Sequence, residues 1–287
     1  MVALIRPRRP SILARARQEG DRLHMKDLHC HLLPGIDDGA ERLDDALAMA
    51  RVAVAEGIRE IVATPHAHLV PGNDPRAEVG RRVAELQAAL DTAGIPLVVW
   101  PGSEIFLEPD TPQRWDAGLL VPLANSSVLL VETSFHEYPP YVPEVIFQLQ
   151  VRGARILLAH PERYVAFQRD LSLLQDLVAR GVVPQVTAGS LLGVFGKAAK
   201  QAAEAMLQRG LAHILATDAH RPEGNRAPTV QAALARAAAL VGEARAQAMV
   251  EAAPRALLAG EPLELPPVVA PSNGWAFWKR WAVGVGR

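Results

Sequence analysis

Hydrophobic positions along residues 26–260 alternate between a helical and a strand-like pattern. Leu43, Leu47, Ala50 and Val54 recur at spacings of three or four residues, which predicts one face of an amphipathic helix. A glycine then interrupts the helix, and the run IREIVAT after it predicts a buried strand. The repeating unit is therefore a helix, a glycine and a short apolar strand.

The same unit recurs further along the chain, where glycines precede the apolar runs ARILLAH, VVPQVTA and LAHILAT. The helix-ending glycines are Gly57, Gly153, Gly181 and Gly210. Three of the four strands lead into a candidate metal ligand, namely His66, His160 and Asp218. Repeated units favour parallel strands, and (β/α) barrels carry their chemistry at the carboxyl ends of the strands. We therefore predict an α/β fold, a (β/α) barrel, with a doubly wound open sheet as the alternative.

Composition narrows the class of protein. The chain has 287 residues, of which 49% are hydrophobic, enough to bury the core of one large domain. Its formal net charge of −1 gives no electrostatic reason to expect a nucleic-acid partner. The single cysteine excludes an internal disulfide framework, which predicts a reducing, cytoplasmic location. The sequence contains no apolar run long enough to span a bilayer.

The two ends of the chain differ from its middle. Residues 1–24 are rich in arginine and lack the apolar core of a secretory signal. We expect either a disordered extension or a start codon assigned too early, because Met25 directly precedes the first motif. Residues 25–260 form the predicted domain. Residues 261–287 combine a proline-rich linker, ELPPVVAPSNG, with the tail WAFWKRWAVGVGR.

The segment DLHCHLLPGIDDG carries the first candidate ligands. Alternate side chains of a strand share a face, so His29 and His31 are expected to point together while Cys30 points away. Such a pair can present two imidazoles to one metal ion, and two surface histidines are the alternative. Asp38 follows Asp37 in the same loop, where a simple Asp-Asp-Gly turn is the alternative.

Five further apolar segments also end in imidazole or carboxylate side chains. They supply His66 and His68, Glu104, Glu132, His160 with Arg163, and Asp218 with His220. Any one of these residues could simply cap an element or face solvent. Six of the nine histidines take part in the pattern, however, and chance does not concentrate ligands in this way. We therefore interpret the set as one site.

Crowded carboxylates and imidazoles need a compensating charge, because they would otherwise repel each other or lose solvation. Bound divalent cations supply that charge. Nitrogen and oxygen ligands without thiolates suit Mn²⁺, Fe²⁺ or Zn²⁺ better than Cu(I) or an iron–sulfur cluster. The candidates are too many for one ion and predict a cluster of two or three.

These motifs resemble the polymerase and histidinol phosphatase (PHP) superfamily, and within it the capsule-type bacterial protein-tyrosine phosphatases of the CpsB/YwqE type. The resemblance runs from Met25 to about Gly260 and follows the family's order of motifs: DLHCHLLPGIDDGA, ATPHAH, PGSEI, VETS, LLAHPERY, QVTAGSLLGVFGK and ATDAH. It implies a distorted (β/α)7 TIM-like barrel of the PHP type. It also implies three divalent metal ions, usually Mn²⁺, with Fe²⁺ or Zn²⁺ as alternatives.

The resemblance further assigns roles to individual residues. The positions that match the family's metal ligands are His29, His31, Asp38, His66, Glu104, Glu132, His160, Asp218 and His220. Arg163, in the AHPER segment, matches an arginine that contacts the phosphate. Arg226 falls where the family often has another arginine, although the spacing there varies. His68 matches no family role, and we expect it to be exposed or to stand behind the ligands.

The function that this resemblance implies is hydrolysis of phosphotyrosine on protein. Because divalent ions lower the pKa of bound water, we expect attack by a metal-bridging hydroxide without a phosphoenzyme. Cysteine-based tyrosine phosphatases need an arginine six positions after the thiolate, whereas Ile36 stands six positions after Cys30. Cys30 is therefore expected to be a small buried residue. The alternatives are a histidinol-phosphate phosphatase of the same superfamily, a non-catalytic PHP binding module, and a metal-dependent exonuclease, for which no basic, aromatic groove is visible.

The resemblance also implies a partner, the phosphotyrosine tail of a bacterial kinase that regulates capsular or exopolysaccharide synthesis. In the C-terminal tail, Trp275, Trp278 and Trp281 recur every third residue beside Lys279 and Arg280. This combination suits peripheral contact with the inner face of the membrane. Packing of the tail on its own barrel or on a neighbouring subunit is the alternative, so a homo-oligomer stays open.

Overall fold

A computed structural model describes residues 24–268 of the chain. All the strand pairs in this range are parallel, as the repeated helix–strand units predict. The strands are β1 Met25–Cys30, β2 Ile58–Ala63, β3 Val98–Pro101, β4 Glu104–Phe106, β5 Val128–Glu132, β6 Arg155–Ala159, β7 Val183–Thr187 and β8 Ile214–Ala216. The four apolar runs that follow the helix-ending glycines form β2, β6, β7 and β8, so these predictions are confirmed.

Helices connect the strands and form the outer layer. They are α1 Leu43–Ala55, α2 Pro75–Thr92, α3 Thr111–Asp116, α4 Val142–Val151, α5 Val165–Arg169, α6 Ser172–Ala179, α7 Ala188–Leu192, α8 Gly196–Gln208, α9 Gln231–Val241, α10 Glu243–Ala248 and α11 Ala252–Ala259. Local sequence explains where several of them begin. In α2, for example, the Asp74 side chain accepts a hydrogen bond from the Ala77 amide at 3.1 Å, and Pro75 occupies the first turn.

The strands form two parallel sheets, β1-β2-β3 and β4-β5-β6-β7-β8. Strands β3 and β4 together occupy one strand position of the barrel, with a break between them. The pairings Ala63↔Pro101 and His66↔Glu104 show this, because they keep the same register along β2 and the residues that follow it. The other seam is joined by the bridge Cys30↔Ala219 between the ends of β1 and β8. The result is a ring of seven strand positions, as the predicted (β/α)7 barrel requires, and not an open doubly wound sheet.

Side chains from all seven strand positions meet inside this ring. The strand residues of this inner cluster are Leu28, Val62, Val128, Leu130, Leu157, Ala159, Val183 and Ile214, with Trp100 packed against them. Helix α11 adds Ala253 and Leu257. Its Leu257 carbonyl accepts a hydrogen bond from Arg155 at the start of β6, so α11 covers the amino-terminal end of the barrel. The carboxyl-terminal end remains for the polar residues.

Strand β1 contains a β-bulge that matters for the site. Asp27 pairs with Ile61 and Cys30 with Ala63, so β1 carries one more residue than β2 over this stretch. A bulge re-aims the side chains that follow it. Leu28 consequently faces the inner apolar cluster, and the next residue, His29, also reaches the barrel interior.

The buried face of α1 differs from the one predicted. The spacing of Leu43, Leu47, Ala50 and Val54 predicts the core-facing side. Ala50 is buried, and Leu47 and Val54 pack against the core while partly exposed, but Leu43 is 44% exposed. The fully buried residues of α1 are Ala46, Met49, Ala50 and Ala53. The alanine-rich face is the buried one because its small side chains let the helix backbone lie close to the strands.

The ends of the described range add little regular structure. Residues 261–268 form neither helix nor strand, yet Leu265 and Val268 pack against the core and the Pro266 carbonyl accepts a hydrogen bond from Arg245 at 2.6 Å. The predicted N-terminal extension up to residue 23 and the tryptophan-rich tail from residue 269 lie outside the described residues. Within residues 24–268, none of the helices has the length and apolar character needed to cross a membrane.

Candidate metal centre

The nine predicted metal ligands converge at the carboxyl-terminal mouth of the barrel. Each belongs to at least one group of ligand atoms that lie within 4.8 Å of one another. The four groups are His31, Asp38, His66 and His220; His29, His31 and Glu104; His29, His160 and Asp218; and His66, Glu104 and Glu132. Because His29, His31, His66 and Glu104 each belong to two groups, the groups form one continuous cluster.

The deep part of the cluster is centred on Glu104. Its Oε1 atom lies 2.9 Å from Nε2 of His160 and 3.3 Å from Nε2 of His29. Oε2 lies 3.5 Å from Nε2 of His31. Asp218 approaches from the opposite seam, with Oδ1 3.4 Å from Nε2 of His29. All five side chains are almost completely buried.

The outer part of the cluster lies at the rim. Asp38 is exposed, and its Oδ1 atom lies 3.4 Å from Nε2 of His66 and 3.3 Å from Nε2 of His220. His220 stacks on His31, with ring centroids 3.8 Å apart. Glu132 joins the outer and deep parts, because its Oε1 atom lies 3.6 Å from Nδ1 of His66. The cluster therefore runs from the buried interior of the barrel to solvent.

Two neighbouring acceptors set the orientation of the first histidine pair. Nδ1 of His29 lies 2.9 Å from Oε1 of Gln185, and Nδ1 of His31 lies 2.7 Å from Oδ2 of Asp37. Both partners accept hydrogen bonds, so each imidazole carries a proton on Nδ1 and turns Nε2 towards Glu104. The two Nε2 atoms are only 3.2 Å apart. This geometry suits a shared cation.

An unpaired nitrogen atom supports the same interpretation. Nδ1 of His66 is buried and forms no hydrogen bond within residues 24–268. Nδ1 of His66 nevertheless lies 3.1 Å from Oε2 of Glu104. A buried nitrogen that faces carboxylate oxygens without a hydrogen bond is explained when a metal ion binds between them. The residues present thus fit a divalent metal.

Two side chains at the mouth have pKa values shifted far from their ordinary values when no cation is present. Burial, followed by the charge of Glu104, raises the pKa of Glu132 to about 8. Burial lowers the pKa of His31, but hydrogen bonds to Asp37 and Glu104 outweigh it and raise the pKa to about 10. Without a cation these shifts favour protonated Glu132 and His31 near neutral pH, and a bound divalent cation would compete with those protons.

The backbone at two of these positions adopts an unusual conformation. His160 has φ of 35° and Asp218 has φ of 52°, in the left-handed region that side chains other than glycine rarely adopt. His160 directly follows β6 and Asp218 lies two residues beyond the end of β8, where the chain turns into a loop. Such strain persists where surrounding contacts enforce it and is concentrated at functional sites.

Two arginines border the cluster and meet at Asp218. Nη1 of Arg163 lies 3.0 Å from Oδ2 of Asp218, and Nη2 of Arg226 lies 3.1 Å from Oδ1. Both arginines line a cleft of about 410 Å³ that also contains metal-cluster residues and the rings of Phe106 and Phe135. The cleft therefore combines anion-binding groups with an apolar wall.

Some residues of the site were missed by sequence reasoning. Asp37 contacts His31 and also accepts a hydrogen bond from the His66 amide at 3.0 Å, whereas the sequence suggested only a turn. Gln185 is a polar residue inside the apolar run of β7, a signal that could have identified it. His68, by contrast, is exposed and outside the four ligand groups, as expected.

Cys30 faces away from the cluster. It is completely buried in the larger core cluster, and its Sγ atom lies 3.7 Å from the Ala219 carbonyl oxygen. Burial, aided by the charge of Asp27, raises the pKa of its thiol well above the ordinary value. The prediction of a small buried residue is confirmed, and a reactive thiolate is disfavoured.

Comparisons with known proteins identify the family of this chain. Residues 25–259 match the family model for capsular polysaccharide synthesis, CpsB/CapC. The tyrosine-protein phosphatase YwqE of Bacillus subtilis is 40% identical over 197 residues, which are 68% of this chain and 77% of YwqE. The putative tyrosine-protein phosphatase CapC of Staphylococcus aureus is 33% identical over the same shares of the two chains.

A solved structure agrees with the sequence comparisons. It comes from work on YwqE of Bacillus subtilis and CpsB of Streptococcus pneumoniae, described as unique metal-dependent tyrosine phosphatases. The match has a TM-score of 0.79 and 35% sequence identity, and it covers 86% of this chain and 99% of the other. The family predicted from the motifs is confirmed: this chain belongs to the CpsB/CapC family of capsular polysaccharide synthesis proteins.

Proposed function

We propose that this protein is a metal-dependent protein-tyrosine phosphatase. The observation that carries the proposal is the convergence of nine imidazole and carboxylate side chains on one continuous cluster, beside two arginines. The arginines offer charge-assisted hydrogen bonds to phosphate, and divalent cations at the cluster attract the same anion. Relatives named as tyrosine-protein phosphatases support phosphotyrosine as the substrate.

The nine side chains would hold two or three divalent ions, and we propose three Mn²⁺, with Fe²⁺ or Zn²⁺ as alternatives. The ligands are nitrogen and oxygen atoms, which suits these metals. When bound, such ions polarise phosphoryl oxygens and lower the pKa of water enough to supply hydroxide near neutral pH. Asp37 and Gln185 keep His29 and His31 oriented towards the ions.

The remaining residues of the cleft act on the substrate itself. Arg163 and Arg226 would bind the phosphoryl oxygens and offset the negative charge that grows there in the transition state. Phe106 is 37% exposed and follows the ligand Glu104 by two residues on the same strand face. It offers an apolar surface to the phenyl ring of phosphotyrosine. The site thus binds both ends of an aryl phosphate.

The proposal is tested by hydrolysis of three substrates: a phosphotyrosine peptide, a phosphoserine peptide and histidinol phosphate. Purified protein is assayed as prepared, after chelation and dialysis, and after addition of Mn²⁺ or Zn²⁺. We expect hydrolysis of the phosphotyrosine peptide to fall to the buffer background on chelation and to return best with Mn²⁺. Faster hydrolysis of histidinol phosphate would move the protein to the other phosphatase class. Activity that survives removal of metal would contradict the proposal.

A pair of histidine variants provides a matched control. His66→Ala removes a side chain of two ligand groups, whereas His68→Ala removes a neighbouring histidine outside them. We expect the first variant to lose metal and activity together and the second to keep both. Equal behaviour of the two variants would contradict the assignment of His66.

We further propose that the protein acts in the cytoplasm on the phosphotyrosine tail of a kinase that regulates capsular or exopolysaccharide synthesis. Relatives named for capsule synthesis support this partner. Contact of residues 272–287 with the membrane rests on the tryptophan spacing alone. Co-sedimentation with anionic liposomes, with and without these residues, tests it. Equal and negligible binding of both proteins would contradict membrane contact.

A further inference from the structure

Glu162 is a buried carboxylate that the proposed chemistry does not use. It lies in the short turn Pro161–Arg163, between His160 and Arg163, and its side chain is inaccessible to solvent. Its Oε1 atom accepts hydrogen bonds from the Ser190 hydroxyl at 2.6 Å and from the Thr187 amide at 3.1 Å. An ionisable side chain is rarely buried without a specific role. Here it ties the turn to the chain around α7.

The chain that Glu162 holds leads directly to Phe195. Cζ of Arg163 lies 4.2 Å from the centre of the Phe195 ring and 4.5 Å from the centre of the Phe135 ring. The guanidinium is therefore enclosed between two aromatic faces, an arrangement that cation–π attraction favours. The Phe195 ring also lies 5.6 Å from Cζ of Arg226. One ring thus contacts both arginines of the cleft.

The turn that carries Arg163 needs such an anchor. It begins at His160 in the left-handed conformation, with φ of 35°, and closes with a hydrogen bond from the Arg163 amide to the His160 carbonyl at 2.9 Å. A strained turn of this size keeps its geometry only when other contacts enforce it. The Gln168 side chain donates a further hydrogen bond to the Glu162 carbonyl, which fixes the turn from its other side.

We propose that Glu162 is a positioning residue for Arg163. By holding the Pro161–Arg163 turn against Ser190 and Thr187, it keeps Arg163 between Phe135 and Phe195 and directed at Asp218 and the bound phosphate. The inference rests on the proposed phosphatase function, because it assigns Arg163 to the phosphoryl group. Glu162 itself does not contact the substrate.

A double-mutant cycle tests this role. Glu162→Ala, Arg163→Ala and the double variant are compared with the wild type for hydrolysis of a phosphotyrosine peptide, with metal content measured on each sample. We expect Glu162→Ala to lower kcat about 10- to 100-fold, the range for groups that orient a functional residue, with metal content intact. The double variant should match Arg163→Ala within about twofold, because Glu162 acts through Arg163.

Milder variants keep the test decisive if Glu162→Ala does not fold. Ser190→Ala removes the shortest hydrogen bond to Glu162, and Phe195→Leu keeps apolar volume while removing the ring. Each should lower kcat in the wild type. In the Arg163→Ala background, Ser190→Ala should have little effect, whereas Phe195→Leu should keep the part of its effect that acts through Arg226. Ser126→Ala is the matched control, because it removes a hydroxyl that donates at 2.7 Å to the Leu123 carbonyl, away from the site. It should leave kcat unchanged.

Two results would overturn the positioning role. One is that the losses from Glu162→Ala and Arg163→Ala multiply in the double variant, as they would if Glu162 only stabilised the fold. The other is unchanged kcat in Glu162→Ala, Ser190→Ala and Phe195→Leu. Failure of the proposed function gives different results. They are metal-independent activity of the wild type or full activity of Arg163→Ala, and neither measurement involves a Glu162 variant.

Discussion

The barrel interior contains two layers of similar burial and opposite chemistry. The apolar layer contains Leu28, Leu130 and Leu157 near the middle of the barrel. The polar layer lies at the mouth, where Glu132 follows Leu130 by two residues on the same strand. Leu130 and Glu132 are both buried and point into the barrel from one face of the strand, so the two positions differ mainly in residue type.

The difference shows which layer stabilises the fold and which layer requires bound metal ions. Burial of the apolar layer contributes to folding directly, by roughly 1.5–3 kcal/mol for each large side chain. The polar layer places carboxylates and imidazoles together in a buried site, where Glu132 has a pKa of about 8 instead of its ordinary value. Divalent cations offset this cost when they bind. Substitutions in the two layers should therefore have opposite consequences.

The largest effect is expected beside the polar layer, at Arg163. Arg163→Ala should lower kcat by about two to three powers of ten, the scale for loss of one strong transition-state contact. Metal content should be unchanged, because the guanidinium is not a ligand. Steady-state kinetics and metal analysis on one sample check both points. If Arg163 formed only a structural ion pair with Asp218, turnover would hardly change.

In the apolar layer, Leu157→Ala should lower the free energy of unfolding by about 2–5 kcal/mol, because it leaves a cavity in the inner cluster. The kcat of the folded variant should stay within about twofold of the wild type, since no ligand moves. Chemical denaturation and kinetics at 25 °C provide the two measurements. Loss of metal binding without loss of stability would show that the layers are not separate in function.

Glu132→Gln, in the polar layer, should raise the stability of the metal-free protein, whereas Leu157→Ala lowers stability. The pKa of Glu132 is raised above its ordinary value of 4.5 to about 8 in the folded state, so its ionisation opposes folding as pH rises across that interval. The variant lacks this group. It should therefore be more stable than the wild type at pH 8 and differ little near pH 4.5. Thermal unfolding of chelated protein at several pH values tests this, and equal pH dependence of the two proteins would contradict it.

The smallest effect is expected at Cys30, which is buried on the outer side of β1. Cys30→Ser should keep most of the activity and all of the bound metal, because the thiol faces away from the cluster. Kinetics with a phosphotyrosine peptide provide the check. A folded, metal-loaded variant without activity would return thiol chemistry to consideration.

Much of the site could be predicted from sequence because of one geometric rule. Parallel strands end at the same edge, so the residues that follow β2, β6 and β8 must meet there, and His66, His160 and Asp218 do. The resemblance to the family completed the ligand set. The repeat of helix, glycine and strand predicted parallel strands, whereas the seven-stranded barrel was implied by the resemblance.

Other features depend on tertiary contacts that no local pattern contains. The bulge of β1 is visible only in its pairing with β2, so the inward direction of both Leu28 and His29 could not be derived from alternation. The buried face of α1 is rotated towards Ala46, Met49 and Ala53, and this rotation depends on the strands against which the helix packs. The contact of Arg163 with Phe195 joins segments that only the folded barrel brings together.

The central claim is that the mouth of the barrel is a divalent-metal cluster. The most direct measurement is anomalous diffraction at the manganese absorption edge, from crystals grown with Mn²⁺ near neutral pH. We predict two or three peaks at the mouth, each within about 2.3 Å of imidazole nitrogen or carboxylate oxygen atoms of the nine ligands. Absence of any peak at the mouth, in protein that hydrolyses phosphotyrosine, would contradict the account.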